Sequence, residues 1–229
     1  MKKSKNKKME LDKIFNVNKT TFYEFDENGK IQMRGRFISE FNTDEYPNII
    51  GCYLTGFKGK NLNELVSLFP NLVEFSIEKT SQLVSLDGLQ KLSGLKRLTI
   101  EQLPKLTDVS AIETCVNLQY FDSSKFENSL KLLSFLPKNN IQELSIGGAL
   151  TDLEELTSFT NLISLRIIGY DCFQETLPTL PKLRKSLWLE GFPKLNDASF
   201  LNNLDSNVYI QWRGPKTISK IPEHINLKL

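Results

Sequence analysis

From residue 49 onward the chain repeats one pattern: an apolar anchor, then a short run in which apolar and polar residues alternate. The anchors Ile49, Leu72, Leu95, Leu118 and Ile141 are spaced by 23 residues, and Leu162, Leu183 and Leu204 follow at steps of 21. An asparagine precedes most of them, as in Asn71-Leu72, Asn117-Leu118, Asn140-Ile141 and Asn161-Leu162. The runs LVEFSI (72–77), LKRLTI (95–100), IQELSI (141–146) and LISLRI (162–167) carry apolar residues at positions 1, 4 and 6. Positions 4 and 6 share one face of a strand, so positions 3, 5 and 7 look the other way. The last two units are shifted, and their strands are read as SLWL (186–189) and NVYIQW (207–212), with one residue inserted after each anchor.

A second pattern, of period three, leads into each anchor. Leu86, Leu89 and Leu92 precede Leu95; Val109, Ile112 and Cys115 precede Leu118; Leu153, Leu156 and Phe159 precede Leu162; Leu195, Ala198 and Leu201 precede Leu204. That period predicts a 3-10 turn or short helix with one buried edge. Pro178 and Pro181 argue against a regular helix in the unit that leads to Leu183.

Repeats of this length and pattern resemble the leucine-rich repeat family, over about residues 47–212, and are most similar to its short phosphatase-regulator-like and bacterial subclass. The resemblance implies an α/β solenoid: an arc with a concave parallel β-sheet and short helical or 3-10 turns on the convex side. The family's usual Asn or Cys after the strand is replaced here by Thr80, Leu103, Phe126, Ala149 and Tyr170. One such unit cannot bury its own apolar edge, so about eight must stack and both ends need covers. Eight strands stacked at the usual inter-strand spacing give a wall on the order of 35 Å long.

Residues 1–50 contain one leucine and the remainder 34, which places the start of the repeats near residue 47. Four parts are expected: a basic disordered tail (1–9), an N-terminal cap (10–46), the repeats (47–212) and a C-terminal cap or tail (213–229). In the cap, TTFYEF (20–25) and KIQMRGRF (30–37) flank Asp26-Glu27-Asn28-Gly29. Asn-Gly between alternating runs predicts a β-hairpin.

The residues facing away from the core are the candidate binding surface. They include Glu74, Glu78, Arg97, Glu101, Tyr120, Asp122, Glu143, Arg166, Trp188, Glu190 and Tyr209, with Tyr53 on the first strand. Six carboxylates against two arginines make this face acidic in a chain of net charge +2. Trp, Tyr and Arg are the residue types that most often carry binding energy.

Candidate chemistry adds little. His224 is the one histidine and lies in the C-terminal tail, far in sequence from any nucleophile. Cys52 and Cys115 occupy apolar slots, and Cys172 sits in a loop without an activating base. Gly56-Phe57-Lys58-Gly59-Lys60 lacks the first glycine and the Ser/Thr of a phosphate-binding loop. Asp152, Glu154 and Glu155 read as a solvated turn, and no metal-ligand spacing is present. Lys2, Lys3, Lys5, Lys7 and Lys8 read as a solvated tail. No apolar run follows them as in a signal peptide, so Asn18-Lys19-Thr20 is not expected to be glycosylated and a reduced cytoplasm is the expected compartment.

The expectation is a non-catalytic protein-binding module without cofactor or metal, not an enzyme. It captures a globular partner with a basic surface on its concave face and binds neither nucleic acid nor membrane. An inhibitor, such as a bacterial immunity protein holding a toxin, is one form of this. The alternatives are a regulatory or scaffold subunit of an enzyme complex and, more remotely, a hydrolase using face carboxylates.

Overall fold

The computed structural model describes residues 24–25, 30–34, 49–125, 131–148 and 150–227. Ten strands form one sheet in chain order. They are β1 (Glu24–Phe25), β2 (Lys30–Arg34), β3 (Gly51–Thr55), β4 (Glu74–Glu78), β5 (Arg97–Glu101), β6 (Tyr120–Ser123), β7 (Glu143–Gly147), β8 (Ser164–Gly169), β9 (Ser186–Gly191) and β10 (Tyr209–Arg213). β1 pairs antiparallel with β2, and every later pair is parallel. The described parts of the expected hairpin strands therefore pair antiparallel, and β2 pairs in turn with the first strand of the repeats. Its turn, the basic tail, most of the cap and the Phe126 and Ala149 slots lie outside the described residues.

Each unit returns to the sheet by the path its period-three pattern predicts. Two helices, α1 (Asn63–Leu68) and α2 (Leu132–Phe135), occupy that path in two units. Four 3-10 turns, Leu89–Lys91, Ser110–Thr114, Leu153–Ser158 and Ser199–Leu201, occupy it in four others. The unit containing Pro178 and Pro181 has neither between β8 and β9, because proline lacks the N–H that would continue a turn of helix.

The core is one continuous cluster between the sheet and these turns. Strand positions 4 and 6 supply Cys52 and Leu54, Phe75 and Ile77, Leu98 and Ile100, Leu144 and Ile146, Leu165 and Ile167, Leu187 and Leu189, all buried. β6 breaks the aliphatic row. Phe121 is buried as expected, but Ser123 occupies the rung of Ile77, Ile100 and Ile146, fully buried with its Oγ unpartnered. On β7, Gly147 is forced by close approach: a Cβ there would lie 2.2 Å from the Ser124 carbonyl oxygen.

Adjacent units are stitched by a repeating backbone element. One carbonyl just before each strand accepts two N–H groups of the following unit. The Ile50 carbonyl takes Val73 and Glu74, Val73 takes Lys96 and Arg97, Lys96 takes Gln119 and Tyr120, and Gln119 takes Gln142 and Glu143. The asparagines before the anchors add a second rail. Asn117 Nδ2 donates to the Ser93 carbonyl, Asn140 to Val116 and Asn161 to Asn139, each in the preceding unit. The asparagine ladder missing after the strands is thus replaced by one before the anchors.

The acidic turn differs from expectation. Asp152 is 8% exposed, and its carboxylate accepts the backbone N–H of Leu133 at the start of α2. That N–H is one a helix cannot satisfy internally, so Asp152 is a structural clamp and not a solvated residue. The C-terminal tail continues the descending path of the last unit. Ser219 bridges Asp197, His224 Nε2 contacts the Leu204 carbonyl at 2.8 Å, and Ile225 is buried.

Candidate functional site

The register of the parallel ladder aligns the outward residues of β3–β10 in three rows. The first runs Gly51, Glu74, Arg97, Tyr120, Glu143, Ser164, Ser186, Tyr209. The middle row runs Tyr53, Ser76, Thr99, Asp122, Ser145, Arg166, Trp188, Gln211. The third holds Thr55, Glu78, Glu101, Gly147, Ile168, Glu190 and Arg213. All eleven residues expected on this face are on it. One register needs correction. The last strand starts at Tyr209 and runs to Arg213, so Asn207 is not on the ladder. Three residues, not one, are inserted after Leu204, taken up by the turn in which Val208 N–H bonds the Asp205 carbonyl.

The acidic balance read from strand positions alone is also corrected. Lysines from other positions reach over the carboxylates. Lys30 of β2 meets Glu74 at 2.5 Å, Lys125 meets Glu101 at 3.0 Å, Lys185 meets Glu143 at 3.2 Å and Lys79 meets Glu78 at 4.0 Å. With Arg97, Arg166 and Arg213, seven cations now face six carboxylates. A lysine side chain is long enough to cross the spacing between strands, so period-two reasoning does not see it.

The face divides into two regions. Over β4–β7 it is a mesh of small polar pairings. The Arg97 guanidinium lies 3.8 Å from the centre of the Tyr120 ring, and the Tyr120 hydroxyl donates to Asp122 at 3.1 Å. Asp122 also accepts the Ser124 N–H at 2.8 Å. Burial, and then the Asp122 charge, push the Tyr120 hydroxyl up to about 12. A shallow cleft of about 170 Å³ opens beside Glu74, Arg97, Tyr120 and Glu143 where these strands begin.

Over β8–β10 the residues are larger and the pairing incomplete. Trp188 lies between two guanidinium groups, Arg166 at 4.6 Å and Arg213 at 5.0 Å from its ring. This answers why a large ring stands on an open face: arginine covers it from both neighbouring strands. Both arginines share one carboxylate, Glu190, at 3.9 Å and 3.8 Å. The Tyr170 hydroxyl donates to Glu190 at 2.6 Å. That bond, helped by Arg213 and Arg166, holds the Glu190 carboxyl below the usual carboxylate range. Trp188 Nε1 leans toward the same carboxylate without closing a hydrogen bond. Beside the cluster stand Tyr170, bonded to Glu190, and Tyr209 on the adjacent strand β10, at 60% and 66% exposure. Sequence reasoning missed Tyr170 and Arg213. Tyr170 lies beyond the end of β8, and Arg213 was hidden by the shift of the last unit.

A parallel ladder with one strand per unit, buried anchors and 3-10 return turns decides the architecture. The chain has a leucine-rich repeat fold. No protein-family model matches the sequence, and no curated protein matches it significantly. Among solved structures it is similar to an internalin C2 of Listeria monocytogenes, at 21% identity and a TM-score of 0.42, over 72% of this chain and 62% of that one. An internalin F of the same species gives 18% identity and 0.41, over 76% of this chain and 55% of that one. The chain therefore spans less than two thirds of either internalin structure.

Groups elsewhere in this leucine-rich repeat chain are poor candidates for chemistry. Burial pushes the Cys52 thiol up to about 12 and Cys115 to about 11, and raises Cys172 as well. A thiol so shifted is protonated at neutral pH and is not a nucleophile. Cys172 is buried in its loop, which its position between β8 and β9 did not suggest. Among the described residues, no group of three His, Cys, Asp or Glu could hold a metal ion. None of their helices is long and apolar enough to cross a membrane.

Proposed function

We propose that this chain is a non-catalytic protein-binding module that captures a globular partner on the open face of its sheet. The observation that supports this most is the Trp188 cluster. A tryptophan covered by two arginines, with two exposed tyrosines beside it, concentrates the residue types of binding hot spots on a rigid support. A face of this breadth can supply the roughly 800 Å² per partner of a standard interface. The carboxylates of the face are engaged by lysine, arginine or tyrosine and form no free acid–base couple, which favours binding over hydrolysis.

An inhibitor that blocks its partner and a scaffold that keeps it active share this face. The lysine partners of the acidic row remove the main reason to expect a basic partner surface. The test is capture from the source cell's lysate, with wild type against a Trp188→Ala/Tyr209→Ala/Asp122→Ala variant of unchanged circular dichroism. The captured protein is then purified and titrated with each. Loss of at least tenfold in affinity with the variant is the expected result, and equal affinity would remove the open face from consideration. Assaying the partner's own activity in the complex separates blocking from scaffolding.

A further inference from the structure

We infer that the β7–β9 end of this face is a site for carboxylate side chains, so that the partner lays a short acidic segment across it. This rests on the open-face reading above and narrows it to the chemistry of the partner. Along the middle row, Ser145, Arg166 and Trp188 are register neighbours on three successive strands. Ser145 Oγ, Arg166 Nε and Trp188 Nε1 are each shielded from solvent and without a hydrogen-bond partner. Two of these atoms can only donate, and the serine hydroxyl can donate as well. A line of unanswered donors calls for acceptors from outside.

Charge points the same way. Arg166 and Arg213 share the single carboxylate of Glu190, both at distances too long for a hydrogen bond. Glu190 is moreover engaged by the Tyr170 hydroxyl. The cluster therefore holds an excess of one positive charge and free guanidinium N–H groups, whose fork matches a carboxylate. An incoming carboxylate that draws Arg166 aside uncovers the indole N–H beneath it. The exposed rings of Tyr170 and Tyr209 offer apolar contact to the residues flanking the acid.

The row also limits the length of the ligand. One strand further, at β6, the middle row holds Asp122, next to Ser145. A long polyanion such as a nucleic acid strand would run onto this carboxylate. A segment with one or two acidic residues, spanning about 10 Å over three strands, would stop short of it, and Glu143 at the edge of β7 is already paired with Lys185. That favours a peptide over a nucleic acid.

The experiment selects random twelve-residue peptides displayed on phage against the full chain, then measures synthetic copies of the winners by fluorescence anisotropy. Three variants of unchanged circular dichroism and melting temperature are compared: Arg166→Gln/Arg213→Gln, Tyr120→Ala, and a charge-matched Lys138→Gln/Lys182→Gln control off the sheet face. The expected result is peptides enriched in Asp and Glu. Their affinity falls at least tenfold with the arginine pair and weakens with salt, while the lysine control changes it less than twofold. Peptides rich in Lys and Arg, or indifferent to the arginine pair, overturn the inference. If such peptides still depend on Tyr120, the open-face reading survives alone; if they depend on neither, both fall. No enrichment at all also overturns it. So does a twelve-residue oligothymidylate that binds as tightly as the peptides, which would reassign the cluster to nucleic acid.

Discussion

The two ends of the open face are built from the same rows of the same sheet, yet they meet water differently. Over β4–β7 the side chains are medium-sized and the carboxylates have cation or hydroxyl partners. Exposed pairs of that kind contribute at most about 1 kcal/mol each, because water competes for both ions. Over β8–β10 a tryptophan is held by two arginines, one carboxylate serves both, and the rings of Tyr170 and Tyr209 stand exposed. The first region has its charged groups answered, while the second has charged groups with contacts left to make. The lesson is that a charge count along a face says less about binding than whether its groups are already answered.

The core should not respect this division, and the strongest perturbation tests that. Phe121, fully buried on β6 beneath the first region, should cost about 3–5 kcal/mol when replaced by alanine. Because units share interfaces with their neighbours, far-ultraviolet circular dichroism and the fluorescence of Trp188 and Trp212 should report one urea transition. Separate transitions would mean that the two regions are independent folding units.

Affinity should divide where stability does not. Against the captured partner, Trp188→Ala should cost at least about 2 kcal/mol, roughly thirtyfold. Glu101→Gln, at an ion pair with an exposed lysine, should cost less than about 1 kcal/mol. Calorimetric titration of both variants checks this, and equal losses would erase the distinction between the regions.

A gain is expected at the flaw on β6. Ser123→Val removes a buried hydroxyl without a partner and restores the aliphatic row, and should stabilise by about 1 kcal/mol in urea titration. The smallest effect should lie at the C-terminal end. Asp197 accepts the Ser199 N–H and pairs with Lys220 at 2.6 Å, and its carboxyl is held at about 2, against 3.8 for a free group. Its contribution is therefore present above pH 3.8 and lost as pH falls through about 2. The melting temperature of wild type should exceed that of Asp197→Asn at pH 5, and the gap should close between pH 4 and pH 2.

The anchors made most of this architecture legible. Period two set the faces of seven strands and period three located the return turns, since both follow from backbone geometry that the side chains must obey. Three things escaped. Three extra residues between Leu204 and Tyr209 are taken up in a turn that no periodicity announces, so the last register slipped and Arg213 went unseen. Lys125 and Lys185 reach the face from positions beside the strands, and Lys30 reaches it from β2, outside the repeats whose alternation defined the face. Asp152 looked like an exposed acid because its partner, the Leu133 N–H, belongs to the preceding unit. In each case the missing information was a contact between units, while the repeat pattern describes what lies within one.

The shared carbonyls that join the units have a direction. Val73 donates back to Ile50, Arg97 to Val73, Tyr120 to Lys96 and Glu143 to Gln119, and the asparagine amides donate backward as well. During synthesis at roughly 5–20 residues per second, a new unit emerges every few seconds. The acceptors of these backward bonds have by then left the ribosome, while bonds such as Leu86 N–H to the Asp108 carbonyl close when the next unit arrives. The growing chain can therefore be assembled one unit at a time on a template that it has already made.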